Sequence, residues 1–154
     1  MSKWFFINTM IFILVIWKVT SGQVTSHRII GGLGMLFILY NWTRHAVFST
    51  IRSNISRERK IKFAQLSKKA LPFHKWTGTS ALILILLHLG LVLGYFPLQI
   101  HNPKIVTGII ALFILINLVL FGWLRHIRTT VKRRYIHWTL AYLIIFASLV
   151  HIFI

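Results

Sequence analysis

Apolar residues in this chain fall into five blocks separated by short basic or polar stretches. The first, WFFINTMIFILVIW (4–17), follows Lys3, and the second runs from Ile29 through GGLGMLFILYNW to about Phe48, with Arg44 and His45 near its end. The third spans Trp76 to Phe96 and is stopped by Pro97; the fourth, Ile105 to Leu124, follows Pro103; the fifth runs from Ile136 to Ile154. The last three are each about 20 residues long, enough to cross a hydrocarbon core of about 30 Å. The pattern predicts an all-α integral membrane protein, a bundle of about five transmembrane helices in a single domain over 1–154. The helices are expected at roughly 4–20, 28–48, 75–97, 104–125 and 135–154, with a basic cytoplasmic loop at 49–73. Residues 1–21 also have the basic start and short apolar run of a signal peptide, but VTSGQ makes a poor cleavage site, so a retained first helix is expected.

Composition agrees with the blocks. Of the 154 residues, 56% are hydrophobic and only 12% charged, with a mean hydropathy of +0.74; a soluble domain is nearer half apolar and about a quarter charged. The charge is one-sided, with 18 Lys and Arg against a single acid, Glu58. Nine of the basic residues lie between Arg44 and Lys75, five between Arg125 and Arg134, and Lys3 joins them if there are five spans; only Lys18, Arg28 and Lys104 fall on the other side. The positive-inside bias puts the N terminus and both basic loops in the cytoplasm and the C terminus outside. Basic residues placed between apolar blocks belong to a membrane boundary rather than to nucleic-acid binding. The stretch SRERKIKFAQLSKK (56–69) interleaves its charges with Ile61, Phe63 and Leu66, so it is either a solvated loop or a segment lying on anionic membrane lipid. With no cysteine there is no thiolate metal site and no covalent haem attachment, and one acid leaves no carboxylate pair for acid–base chemistry.

The candidate chemistry lies in the histidines. HKWTGTSALILILLH in the third block and HWTLAYLIIFASLVH in the fifth both begin and end with histidine, 14 positions apart: His74 and His88, then His137 and His151. Fourteen steps of about 100° return to within roughly 40° of the start, with a rise of about 21 Å. Each helix therefore presents two imidazoles on one face, near opposite membrane surfaces. The two helices are separated by one span and run in the same direction. Packed side by side, they bring His74 to His137 near the cytoplasm and His88 to His151 near the outside. A lone histidine in an apolar helix is more often packed or hydrogen-bonded than a ligand. Two pairs with one spacing suit two non-covalent b-type haems, each with two axial histidines. Thr77, Gly78, Ala81, Ala141, Ala147 and Ser148 lie along these faces and leave room for flat macrocycles. The haem propionates need cations: Lys75, Arg133 and Arg134 adjoin the inner pair, and Arg28 and Lys104 are available outside.

The remaining histidines carry less. His27 and His45 bracket the second block on one face and would assist a ligand or meet propionates, while His101 and His126 read as solvated interfacial residues. Trp4, Trp17, Trp42, Trp76, Trp123 and Trp138 fall near block ends, as an aromatic belt would place them. Gly31, Gly32 and Gly34 follow no strand and are expected to permit close helix packing rather than to bind a nucleotide.

At these residues the sequence resembles the ferric reductase-like transmembrane domain superfamily, which includes the membrane parts of ferric reductases and NADPH oxidases and the haem subunit of a bacterial methionine sulfoxide reductase system. The matching features are the histidine pairs on the third and fifth helices and the stretch RRYIHWTLAY, over roughly residues 27 to 154. The resemblance implies an oxidoreductase haem subunit, expected in a bacterial cytoplasmic membrane, that passes electrons from a cytoplasmic donor to an extracytoplasmic acceptor. Many members have a sixth helix followed by cytoplasmic FAD and NADPH domains. This chain stops three residues beyond His151, so its electrons are expected from a separate flavoprotein reductase. Two rivals stand beside this reading. One is a quinol-linked cytochrome b anchor, which the lack of acids to relay protons disfavours. The other is a haem-free membrane scaffold or transporter.

Overall fold

Helix boundaries follow local chemistry. The computed structural model describes residues 3–96 and 101–154, and within them the chain forms α1 (Lys3–Thr20), α2 (Ser26–Arg52), α3 (Arg57–Tyr95), α4 (Pro103–Ile127) and α5 (Val131–Phe153). Asn102 caps α4, its side chain accepting from the Lys104 amide, and Pro103 follows where no amide hydrogen is missed. Thr130 caps α5 in the same way, accepting from the Arg133 amide. Between α1 and α2 the chain turns at Gly22, whose φ of +92° a side chain would resist. Pro97, read as the stop of the third helix, lies outside the described residues.

Four helices, α1, α3, α4 and α5, are long and apolar enough to cross a membrane. Their large side chains point outward: Phe6, Phe113 and Phe146 are each about two-thirds exposed, the inverse of a soluble protein and suited to lipid. α2 has the length but not the composition, because Gly31, Gly32, Gly34, Asn41, Thr43, Arg44 and His45 dilute it. The reason is its position. α2 packs against α1, α3 and α5 and supplies much of the core, with Met35, Ile38, Leu39, Trp42 and Ala46 all buried. A helix sheltered by others can carry polar groups that a lipid-facing helix cannot. α4 packs chiefly on α5.

Three expectations need correction. The segment 49–73 is not a loop: α2 runs on to Arg52, and α3 begins at Arg57. Lys, Arg, Glu, Gln, Ala and Leu are good helix formers, and Phe63, Ser67 and Ala70 recur at helical spacing on the less exposed side. α3, with 39 residues, is about 58 Å long, nearly twice the hydrocarbon thickness. Its basic first half therefore extends past the apolar half as a continuous helix. Second, α3 and α5 are not among the closely packed helix pairs; they face each other across the bundle, with α2 and α4 beside them. Third, Trp42 is buried rather than at a lipid boundary.

Small residues set the α1–α2–α3 spacing. A Cβ on Gly32 would stand 2.7 Å from Val19 Cγ2, and one on Gly34 would stand 2.7 Å from Ile85 Cδ1. Val19 is β-branched and has little rotamer freedom with which to retreat. Gly32→Leu should therefore lower stability by about 1–3 kcal/mol, as overpacking does, measured by reversible unfolding in detergent. Gly90→Ala, with nothing within 4 Å, should leave stability unchanged or slightly raised.

Candidate functional site

The tertiary structure brings the four histidines together in the expected pairs. The His74 and His137 rings have centroids 6.3 Å apart with planes at 80°; the His88 and His151 rings repeat this at 6.3 Å and 79°. An imidazole nitrogen bonds a metal at about 2.0–2.1 Å and stands roughly 1.1 Å from its ring centre, so two imidazoles sharing one ion from opposite sides have centres about 6.3 Å apart. His27 and His88 also stand 6.3 Å apart, with planes at 46°, so the near-perpendicular planes rather than the distance set the two pairs apart.

Backbone carbonyls orient three of the four rings. His88 Nδ1 donates to the His27 carbonyl at 2.7 Å, His151 Nδ1 to the Lys104 carbonyl at 3.0 Å, and His137 Nδ1 to the Leu118 carbonyl at 3.2 Å. A carbonyl oxygen only accepts, so Nδ1 carries the hydrogen and Nε2 keeps its lone pair. This is the arrangement that metal-ligating histidines use to fix tautomer and ring orientation. His74 differs, its Nδ1 being buried with no partner.

Glycines make room for the same three rings. A Cβ on Gly31 would come within 2.8 Å of His88, one on Gly108 within 2.9 Å of His151, and one on Gly122 within 3.3 Å of His137. Gly108 and Gly122 are themselves 14 apart, the spacing of the histidines they face across the α4–α5 contact. That repeat was present in the sequence and went unused. Gly31 was expected to serve helix packing; its neighbour is an imidazole.

Around the second pair lies a cavity of about 500 Å³, in the range of small-molecule and cofactor sites. Its lining is mostly apolar, with Lys18, Arg28 and Lys104 adding cations and His27 an imidazole. Among the described residues no group of three or more His, Cys, Asp or Glu side chains is placed to hold a metal ion. Each pair therefore offers two ligands, and an ion with six positions would need the others from a non-protein group.

The other expected residues are placed as follows. Lys75 Nζ stands 4.0 Å from the Trp123 ring, and Arg134 Cζ lies 5.9 Å from that of Trp138, so indole faces engage both cations. Arg133 donates to the Leu124 and Arg128 carbonyls. Thr77 donates to Asn41 Oδ1 at 2.7 Å, tying α3 to α2, and Ser148 lines the cavity. His45 joins Trp4, Trp42 and Tyr142 in an aromatic cluster, with the Tyr142 hydroxyl 3.0 Å from His45 Nε2. His27 pairs with Thr25 through Nε2, and its Nδ1 is buried without a partner. His101 is exposed, as expected, while the His126 side chain lies outside the described residues. Sequence reasoning missed Arg44 and Arg125, whose charges reach both His74 and His137.

No family model matches the chain, and neither a curated protein nor a solved structure is found similar to it.

Nitrogen-15 NMR of the metal-free protein in detergent micelles should find Nδ1 protonated and Nε2 bare in His88, His137 and His151. In Gly108→Val the His151 signals should lose that tautomer, while those of His88 keep it. The Nε2-protonated form in all three residues would contradict the carbonyl contacts.

Proposed function

We propose that this chain is a membrane cytochrome b of the ferric reductase-like type, holding two non-covalent b-type haems and transferring electrons from a cytoplasmic donor to an extracytoplasmic acceptor. The observation that carries the reading is the duplicated imidazole pair: one spacing, one interplanar angle, and bare Nε2 atoms on at least three of the four rings. His74 with His137, and His88 with His151, would each hold one haem, since paired imidazoles are a donor set that b-type haem takes from a protein. When bound, it would supply one-electron chemistry.

The chain's own residues position that group. His74 and His137 hold one site, His88 and His151 the other, and the carbonyls of His27, Lys104 and Leu118 keep three imidazoles turned toward their partners. Arg28 and Lys104, at the cavity around His88 and His151, suit the carboxylates of the outer group. All five helices span in this reading, α2 sheltered by the others, with the basic end and N terminus cytoplasmic and the C terminus outside. The membrane is then a bacterial cytoplasmic membrane, and the donor a cytoplasmic flavoprotein. The basic half of α3, which extends past the apolar half, would be the surface that meets it.

One observation favours a quinol as donor. A quinol must lose protons as it is oxidised, and the expected obstacle was the lack of acids. His45, hydrogen-bonded to Tyr142 beside Trp4 and Trp42, provides a proton acceptor in an aromatic setting at the basic end. Reduction of the haems by a quinol analogue without any flavoprotein would establish this version.

Purified protein expressed with ample haem should show a Soret band and, after dithionite, an α-band, at about two haems per chain. His74→Ala and His137→Ala should each remove one and the same haem, and His88→Ala and His151→Ala the other, as judged by low-spin electron paramagnetic resonance signals. A colourless, well-folded protein would overturn the cytochrome reading and leave the scaffold or transporter. Loss of both haems in His74→Ala and His137→Ala, with folding intact, would overturn the pairing.

A further inference from the structure

The basic end contains two partly buried cations without an anion. Arg44 on α2 and Arg125 on α4 each have a buried Nε with no hydrogen-bond partner. They come from the two helices that stand beside the His74–His137 gap. The Asn41–Thr77 bond and the contact of Gly34 with Ile85 fix the register of α2 against α3. Continued by one turn, that register sets Arg44 level with His74. Gly122 lies under His137, and Arg125 follows it by three residues, one turn nearer the basic end. The charges of both arginines act on both imidazoles, and that of Arg125 acts on Arg44.

Two like charges drawn together and partly desolvated are costly unless paired. This chain cannot pair them, since its one acid, Glu58, is exposed in the first turn of α3, about 24 Å along the helix from His74. The counter-charge has to come from a bound group. Guanidinium is planar and presents a fork of donors that matches carboxylate, two donors to two oxygens. Lys75 and Arg134, the cations expected in this role, lie over the Trp123 and Trp138 rings; Arg44 Cζ likewise lies 5.6 Å from the Phe48 ring, which supplies no counter-charge and leaves its Nε unpartnered.

We propose that Arg44 and Arg125 form an anion site that takes the two carboxylates of the macrocycle held between His74 and His137, so that this haem lies with its propionate edge toward the basic end. The proposal rests on the cytochrome reading and adds to it the orientation of one haem and the groups that set it. A lipid phosphate offers the same charge to the same guanidinium groups, so the test compares the two sources.

The test uses haem b and its dimethyl ester, which has the same iron and ring but no carboxylate. Each is titrated into haem-depleted full-length protein, in the His151→Ala background, where the His74/His137 site alone should load. The ester should bind at least tenfold more weakly than haem. In Arg44→Gln/Arg125→Gln the two should bind alike, because haem loses its advantage, and Arg44→Lys/Arg125→Lys should restore part of the difference. In wild-type holoprotein the same Gln changes should lower the midpoint potential of one haem and leave the other in place. Equal binding of haem and ester in the His151→Ala protein would overturn the proposal while leaving the cytochrome reading intact. If anionic lipid then co-purifies with the wild-type arginines but not with the Gln variant, phosphate is the partner. Absence of any haem binding to wild-type protein would overturn both. The ester comparison in wild-type sequence at residues 44 and 125 does not depend on the Gln variant folding.

Discussion

The site depends on the bond between a histidine Nδ1 and a backbone carbonyl on another part of the bundle. In His88, His137 and His151 that bond holds the ring in one plane and leaves one nitrogen free. The carbonyls come from positions where helices have to approach closely. His88 reaches the first turn of α2, His151 the first turn of α4, and His137 the middle of α4. Close approach in turn requires glycine, and Gly31, Gly108 and Gly122 stand beside those same rings. Imidazole orientation and helix packing are thus one constraint, since a side chain at any of these glycines would displace both. The Lys104 and His27 carbonyls accept these bonds within initial helical turns, where the carbonyls are already committed to the helix; an oxygen with two lone pairs can serve both.

The same physics explains the gap between α3 and α5. A bundle in lipid gains little from burying apolar surface, because lipid is as apolar as its interior. Contacts among α1, α2 and α3 and between α4 and α5 are made by small residues and a few polar bonds, such as Thr77 to Asn41, and Trp123 to Thr79 joins α4 to α3. α3 and α5 are held apart by the side chains of α2 and α4, and the space between them opens into the cavity around His88 and His151. On the proposed reading, that space belongs to the cofactor, which becomes part of the core on binding and links the two halves of the bundle.

Charge is distributed by the same logic. Most Lys and Arg sit on exposed helix ends, as the boundary of an apolar bundle would place them. Lys75 and Arg134 are the cations that adjacency to His74 and His137 suggests, and each lies over a tryptophan face. Arg44 and Arg125 were passed over because nothing in a linear reading distinguishes a helix-end arginine that faces lipid headgroups from one that turns inward. Burial without a partner is a property of the packed bundle.

The sequence by itself determined the helical membrane class, four of the candidate spans and the four histidines. These follow from local quantities: the length of an apolar run and the 100° turn that returns a residue 14 places on to nearly the same face. It also contained the glycine repeat of α4, in the same spacing. Tertiary structure showed that 57–73 is helix rather than loop: its residues are good helix formers, and from Ser67 on they continue directly into the span that packs against α2. It alone decided that α2, too polar to stand in lipid unaided, is the most enclosed helix. And it alone decided which cations reach the imidazoles, since that depends on the register between helices far apart in the chain, which a one-dimensional pattern does not encode.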